Sequence, residues 1–318
     1  MKKLLVMVSA LSAAVFSSAN AEVSAPSGSY GFHLIAGGNV VDGDGAATSG
    51  TLLMQGGGLS FSMSATSANG LTVSAGAGVS LDSNDSDNTK GVTGLANVTF
   101  AADGFSVQVG DVDIVGDGTG HVGNVASDAV DNGGYTATGI DTGINDTEGY
   151  GFVASTTVGG ASVSIAYLLD KTHAAVNNAE TGSGDYATGL SVSIPMGDLT
   201  VGLGTASTTG GTSVNETTTG ASIAYALPAG TVKLGYETSD LSTDSTTMSA
   251  SMSGSLDADT TWAIGYTDGE VGTLGSTRTE AKLTRSLGGG VSVYAELQNT
   301  SGSGVSGTNM AVGTTVSF

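Results

Sequence analysis

The chain has no cysteine and only three prolines in its 318 residues. Disulfide frameworks and thiolate metal centres are thereby excluded, and little interrupts long hydrogen-bonded ladders. Cationic side chains are scarce as well: eight Lys and Arg stand against 29 Asp and Glu, a formal charge of −21. A surface of that sign repels nucleic acid and anionic lipid and attracts cations, while it also keeps exposed loops solvated. No apolar run reaches the roughly 20 residues that a spanning helix needs, so any membrane crossing has to be made with strands. The three histidines, His33, His121 and His173, are far apart, and no Ser, His and carboxylate form a recognisable triad. Catalysis finds no support; a hydrolase would require a titratable His beside a Ser in the folded chain.

What is present begins at the two ends. Met1-Lys2-Lys3, the apolar run Leu4 to Phe16 and the small-residue site Ala19-Asn20-Ala21 have the charge, length and cleavage chemistry of a secretory signal peptide over residues 1–21. Mature protein is then expected to start at Glu22. Losing Lys2 and Lys3 leaves six basic residues against 29 acidic ones, a formal charge of −23. At the other end Met310, Val312, Thr314, Val316 and Phe318 alternate with Asn309, Ala311, Gly313, Thr315 and Ser317, a strand closing on a terminal aromatic.

Between the ends, period-two alternation recurs. Leu71, Val73, Ala75, Ala77, Val79 and Leu81 oppose Thr72, Ser74, Gly76, Gly78 and Ser80, and similar stretches follow around Val107, Ile165, Val192, Leu234 and Val293. The apolar face carries many alanines and the other face is mostly Ser, Thr and Gly, which suits a lipid-facing exterior around a wide, wet lumen. Mean hydropathy of +0.16 with 12% charged residues agrees. Seven tight connections (68–70, 101–104, 159–160, 195–198, 227–230, 256–259 and 287–290) hold the Asn, Asp, Gly and Pro that hairpin turns demand. Eight longer polar segments lie between them: 41–49, 82–90, 111–146, 170–185, 206–217, 238–246, 267–277 and 298–308. Seven turns and eight loops fit a sixteen-stranded antiparallel β-barrel with both chain ends on one side. Fifty-two glycines also suggest a calcium-bound β-solenoid, but its fixed repeat is missing.

Two positions break the pattern. Gln55 shares the apolar parity of Leu53, Leu59 and Phe61, which predicts a bulge at Gly56 to Gly58. Arg285 shares the parity of Leu283 and Leu287 and is expected to reach the interface beside its turn. Phe152, Tyr225, Tyr236, Trp262 and Tyr266 lie on the lipid parity and suit interfacial girdles, with generic apolar packing as the alternative.

Segment 111–146 runs 36 residues without a Lys or Arg and carries Asp111, Asp113, Asp117, Asp128, Asp131, Asp141 and Asp146. Folded inward, these carboxylates would focus a negative field at the narrowest point; left outside, they would form a solvated surface loop. Asp82, Asp85 and Asp87, with Asn84 and Asn88, offer oxygen ligands for calcium, although the glycine and distal glutamate of an EF-hand loop are missing. Gly116-Asp117-Gly118-Thr119-Gly120 has no following Lys and reads as a glycine-rich loop tip rather than a phosphate cradle.

The placement, length and acidity of segment 111–146, the preceding Phe105-Ser-Val-Gln-Val-Gly-Asp111, the sixteen strands and the terminal Phe318 together resemble the alphaproteobacterial general-diffusion porins. The resemblance spans residues 22–318 and implies an outer-membrane homotrimer whose third loop folds into each lumen as the acidic half of a constriction. It carries over to Asp111, Asp113, Asp117 and their neighbours. Against them such porins set a basic cluster on the opposite wall, and here only Lys233, Arg278 and Lys282 have lumen parity, with Glu237 and Glu280 on the same faces. The expected function is passive diffusion of small hydrophilic solutes, preferentially cations, with no cofactor. The alternative is a barrel that only displays loops, as an adhesin or phage receptor does.

Overall fold

The computed structural model describes residues 20–41, 47–80, 92–93, 97–126, 148–169, 186–209, 216–240, 244–302 and 306–318. Eighteen strands form one antiparallel sheet: β1 (Asn20–Val23), β2 (Ser27–Val41), β3 (Ala47–Thr66), β4 (Thr72–Ser80), β5 (Val92–Thr93), β6 (Asn97–Ala102), β7 (Phe105–Asp113), β8 (Glu148–Val158) and β9 (Ala161–Leu169), followed by β10 (Tyr186–Met196), β11 (Leu199–Thr209), β12 (Glu216–Leu227), β13 (Gly230–Ser239), β14 (Ser245–Ser255), β15 (Thr260–Val271), β16 (Leu274–Gly288), β17 (Val291–Gly302) and β18 (Gly307–Ser317). From β6 to β18 each strand pairs with its neighbours in sequence, β2, β3 and β4 continue the ladder, and β18 returns to β2, so the sheet is a closed cylinder. Two positions on the circumference are held by broken strands. β1 and β2 both pair with β3, and β5 and β6 both pair with β4, so the cylinder has the sixteen staves expected.

The seam is hydrogen-bonded to the last residue: Phe318 N–H donates to Gly28 O at 2.9 Å and Gly28 N–H to Phe318 O at 2.8 Å. No helix among the described residues is long and apolar enough to cross a membrane, which leaves crossing by strands untouched. Closure leaves the cylinder without a free sheet edge, the condition for strands in hydrocarbon.

Side-chain parity separates the two faces. Leu34, Phe61, Leu190, Leu203, Ile223, Leu234, Ile264, Leu283, Leu297 and Met310 are each at least 39% exposed and share the outer face. Their neighbours along the chain, on the other face, are mostly Ser, Thr, Gly and Ala with a few charged and amide groups. All seven expected tight turns form. At Gly159 and Gly160, φ of 61° and 88° supplies the doubly left-handed turn that matches strand twist.

Two expectations are corrected. Segment 267–277 is no loop: β15 and β16 pair out to Val271 and Leu274, leaving a two-residue turn at Gly272 and Thr273. Its residues still alternate around Thr267, Gly269, Ser276 and Arg278, and polarity of both faces above the membrane disguised the ladder. No bulge forms at Gln55 to Gly58, where the register to Ser29–Phe32 is continuous; the irregularity lies at Gly37 to Val40. A Cβ on Gly57 would meet the Tyr30 ring at 2.8 Å, so glycine there seats an aromatic rather than a bulge. In β1, Asn20 to Val23 pair with Thr66 to Met63 of β3.

Arg285 behaves as expected of a base on the outer face near a turn. Its guanidinium donates to Thr260 Oγ1 at 2.9 Å and meets Asp257 Oδ2 at 3.4 Å in the turn between β14 and β15. The Asp259 N–H, the Thr260 hydroxyl and Arg285 together hold the Asp257 carboxyl below its ordinary 3.8. A lowered carboxyl stabilises the fold above its ordinary value and loses that contribution as pH falls through the lowered one. In vesicle unfolding experiments, Asp257→Asn is therefore less stable than the parent at neutral pH, and the difference vanishes in strong acid. A second measurement tests the two faces. Leu234→Arg should cost about 2–4 kcal/mol on the hydrocarbon side, whereas Thr200→Arg on the inner face should cost little.

Candidate functional site

The inner face is unequally covered. On the loop side of β12 to β18, Thr218, Glu237, Thr247, Thr267, Glu280 and Gln298 are each about 1% exposed or less, whereas Lys233, nearer the tight turns, is exposed. Much of the covering comes from residues 114–126, which leave the end of β7 and run inside the cylinder across seven strands, β10 to β16.

Glycine makes that approach possible. A Cβ on Gly189 would collide with the Val115 carbonyl, one on Gly204 with Gly116 and Thr119, one on Gly235 with the Gly120 carbonyl, and one on Gly265 with the Gly123 carbonyl. The segment reciprocates, because a Cβ on Gly116, Gly120 or Gly123 would strike the carbonyls of Leu190, Tyr236 or Tyr266. Backbone thus lies directly on backbone, which only a glycine on each side of the contact allows.

Polar side chains from the wall then fasten the segment. Glu237 Oε2 accepts the Gly120 N–H at 3.1 Å and Glu280 Oε2 accepts the Val125 N–H at 2.9 Å. Ser249 works in both directions: its Oγ accepts the Val122 N–H at 2.8 Å and donates to the Gly120 carbonyl at 2.8 Å. Inside the segment, Thr119 Oγ1 donates to Gly116 O at 3.0 Å and the His121 N–H to Gly118 O at 2.9 Å, closing a tight turn. Two carboxyl groups and one hydroxyl from three strands of the wall thus take up three amides of the segment.

The acidic residues singled out in the sequence separate on the structure. Asp117 lies on the segment, near enough to Glu237 for the two carboxylates to repel. Asp111 and Asp113 do not belong to the loop: both are still in β7, opposite Tyr150 and Glu148. Between them Val112 turns inward, 3% exposed, and packs with Leu168 and Ala187, so the two aspartates take the outer parity with the half-exposed Tyr150. Continuation of the β7 ladder past Gly110 is the cause, and parity alone would have revealed it. Asp128, Asp131, Asp141 and Asp146 lie outside the described residues, as do Asp82, Asp85 and Asp87 of the calcium reading.

Lys233, Arg278 and Lys282 have the inward parity expected, but they stand on the wall that carries residues 114–126 rather than across from it. Arg278 Nε lies 3.6 Å from Glu280 Oε1, and Lys282 Nζ lies 2.7 Å from Glu296 Oε1. Gln298 Nε2 adds a 3.3 Å hydrogen bond to the same Glu280 oxygen. Lys233 has no carboxylate partner among the described residues. Sequence reasoning missed the docking glycines and Ser249. In an alternating Ser, Thr and Gly face they look like any other small lining residue.

Overpacking the contact should displace it. Gly235→Val or Gly265→Val is expected to cost about 1–3 kcal/mol in unfolding free energy, or to expel the segment and change single-channel conductance. Gly275→Ala, whose nearest neighbour would be 3.8 Å away, should change neither.

A family model described as Gram-negative porin matches residues 8–305. No curated protein sequence matches the chain. Among solved structures, a loop L8 deletion mutant of OmpT, an outer membrane protein of Vibrio cholerae, aligns with TM-score 0.69 at 15% identity, covering 94% of this chain and 99% of that one. An anion-selective porin from Comamonas acidovorans aligns with TM-score 0.68 at 13% identity, covering 94% and 100%. In-vitro folded Vibrio cholerae OmpT in a trimer form gives 0.67 at 13%, covering 95% and 100%. At these identities the structures share the fold, while the family match extends along nearly the whole chain. A closed sixteen-stave cylinder with apolar outer and polar inner faces, matched over that length, belongs to the Gram-negative porin family, the channel-forming barrels of the outer membrane.

Proposed function

We propose that this porin passes small hydrophilic solutes and ions passively and favours cations. The observation that carries the reading is the pairing on the inner wall. Arg278 and Lys282 each have a carboxylate within 4 Å, so their positive charge is locally cancelled in a chain with 29 acidic residues. The similar fold of a porin described as anion-selective supports the view that barrel geometry does not fix the sign of selectivity, which falls to the lining charges. Residues 114–126 with Asp117 form part of the constriction in this reading. The trimer form recorded for OmpT supports a homotrimer here. Resemblance to the alphaproteobacterial general-diffusion porins supports the same assembly and a non-enzymatic role. Residues 1–21 act as the export signal.

Planar-bilayer recordings across a potassium chloride gradient test the selectivity. The reversal potential should lie toward the potassium equilibrium value, move toward zero in Asp117→Asn, and move further toward potassium in Lys233→Glu. A potential at zero or of the opposite sign rules the preference out. Conductance in steps of three per insertion event and a mature mass starting at Glu22 check the assembly and the processing.

A further inference from the structure

Beneath residues 114–126, the strap across the inner wall, and toward the tight turns, that wall opens into a recess of about 390 Å³ between β13 and β16. Two adjacent register rows build it. Thr231, Ser253, Ala263 and Lys282 are successive cross-strand partners, and so are Ser255, Thr261 and Thr284 one step nearer the turns. Five hydroxyls and one ammonium therefore face a small floor formed by Ala263. The size falls within the range of about 300–1,000 Å³ usual for small-ligand sites.

The charge of that ammonium is already answered. Lys282 pairs directly across the ladder with Glu296, at 2.7 Å, and the carboxylate is fully buried while the lysine remains 30% exposed. A lysine ammonium has three donors, so the face turned to the lumen still offers N–H groups without a net positive site. Tyr294 lies next to the recess, beside Lys282. It is the register partner of both Thr284 and Gly313, its ring lies against Gly313 closely enough that a Cβ there would overlap it, and Lys282 Nζ sits 5.5 Å from the ring centre.

We infer that this recess is a weak binding subsite for an uncharged polyhydroxylated solute of sugar size. Hydroxyls that both donate and accept, a compensated ammonium and a neighbouring aromatic ring match the alternating donors, acceptors and apolar C–H face of such a solute. A simple anion would meet the Glu296 charge behind Lys282, and a simple cation would meet the ammonium. The inference rests on the reading of the lumen as an open aqueous path, and it adds to that reading a preferred resting place below the strap.

Two measurements separate the claims. Saturation-transfer NMR of D-glucose with the detergent-solubilised trimer reports binding without flow, and planar bilayers report flow. Expected are transfer to glucose in the wild type, glucose-dependent interruptions of the open-channel current, and an apparent Kd raised about tenfold in the Ser253→Ala/Thr284→Val variant at unchanged open conductance. Open channels with no saturation transfer overturn the subsite and leave the porin reading intact. Transfer that survives unchanged in the double variant, or that is stronger for gluconate than for glucose, overturns it as well. Transfer without conductance upholds the subsite and sinks the open path.

Discussion

Ring closure of the backbone ladder is the constraint on which the rest of this protein depends. In hydrocarbon an unpaired N–H or carbonyl costs several kcal/mol, and a sheet with free edges would expose a whole row of them. The pair of hydrogen bonds between Phe318 and Gly28 completes the ring at the chain's own last residue. Gly28 is needed there, since a Cβ would meet the Phe318 ring at 2.9 Å. Once the ring is closed, alternation does the remaining sorting, with Leu, Val and Tyr outside and Ser, Thr and Gly inside, and a lumen exists because small inner residues cannot fill it.

The inner face then does two different jobs at two heights. On the loop side its glycines and glutamates receive a second layer of chain, and Glu237, Ser249 and Glu280 hold that layer by its own amides. Toward the turns the same alternation leaves hydroxyls and lysines open to water. The change of role needs no change of strand: Gly265, Glu280 and Lys282 follow one another on two paired strands. Charge pairing and anchoring share residues: Glu280 and Glu296 both neighbour the bases, and Glu280 also anchors Val125.

Legibility in the sequence followed the physics of each feature. Strand count, turns and facing were readable because hydrocarbon enforces a period of two on one side of every stave. Above the membrane that enforcement stops, so the ladder through Thr267 and Ser276 read as a loop, and Asp111 and Asp113 were assigned to a segment that starts only at Ile114. Gln55 misled for a related reason: a polar residue on the outer parity suggested a bulge, while the neighbouring Gly57 serves to seat Tyr30. The docking of 114–126 was unreadable because it is made by absent side chains. A glycine kept for a wet lumen and a glycine kept for contact are the same letter.

A thin-walled tube resists pinching along its length far better than it resists being squashed into an ellipse. Here the strap from Gly116 to Val125 is tied at several points over seven adjoining staves, nearly half of the circumference, and so it acts as an internal brace against ovalisation.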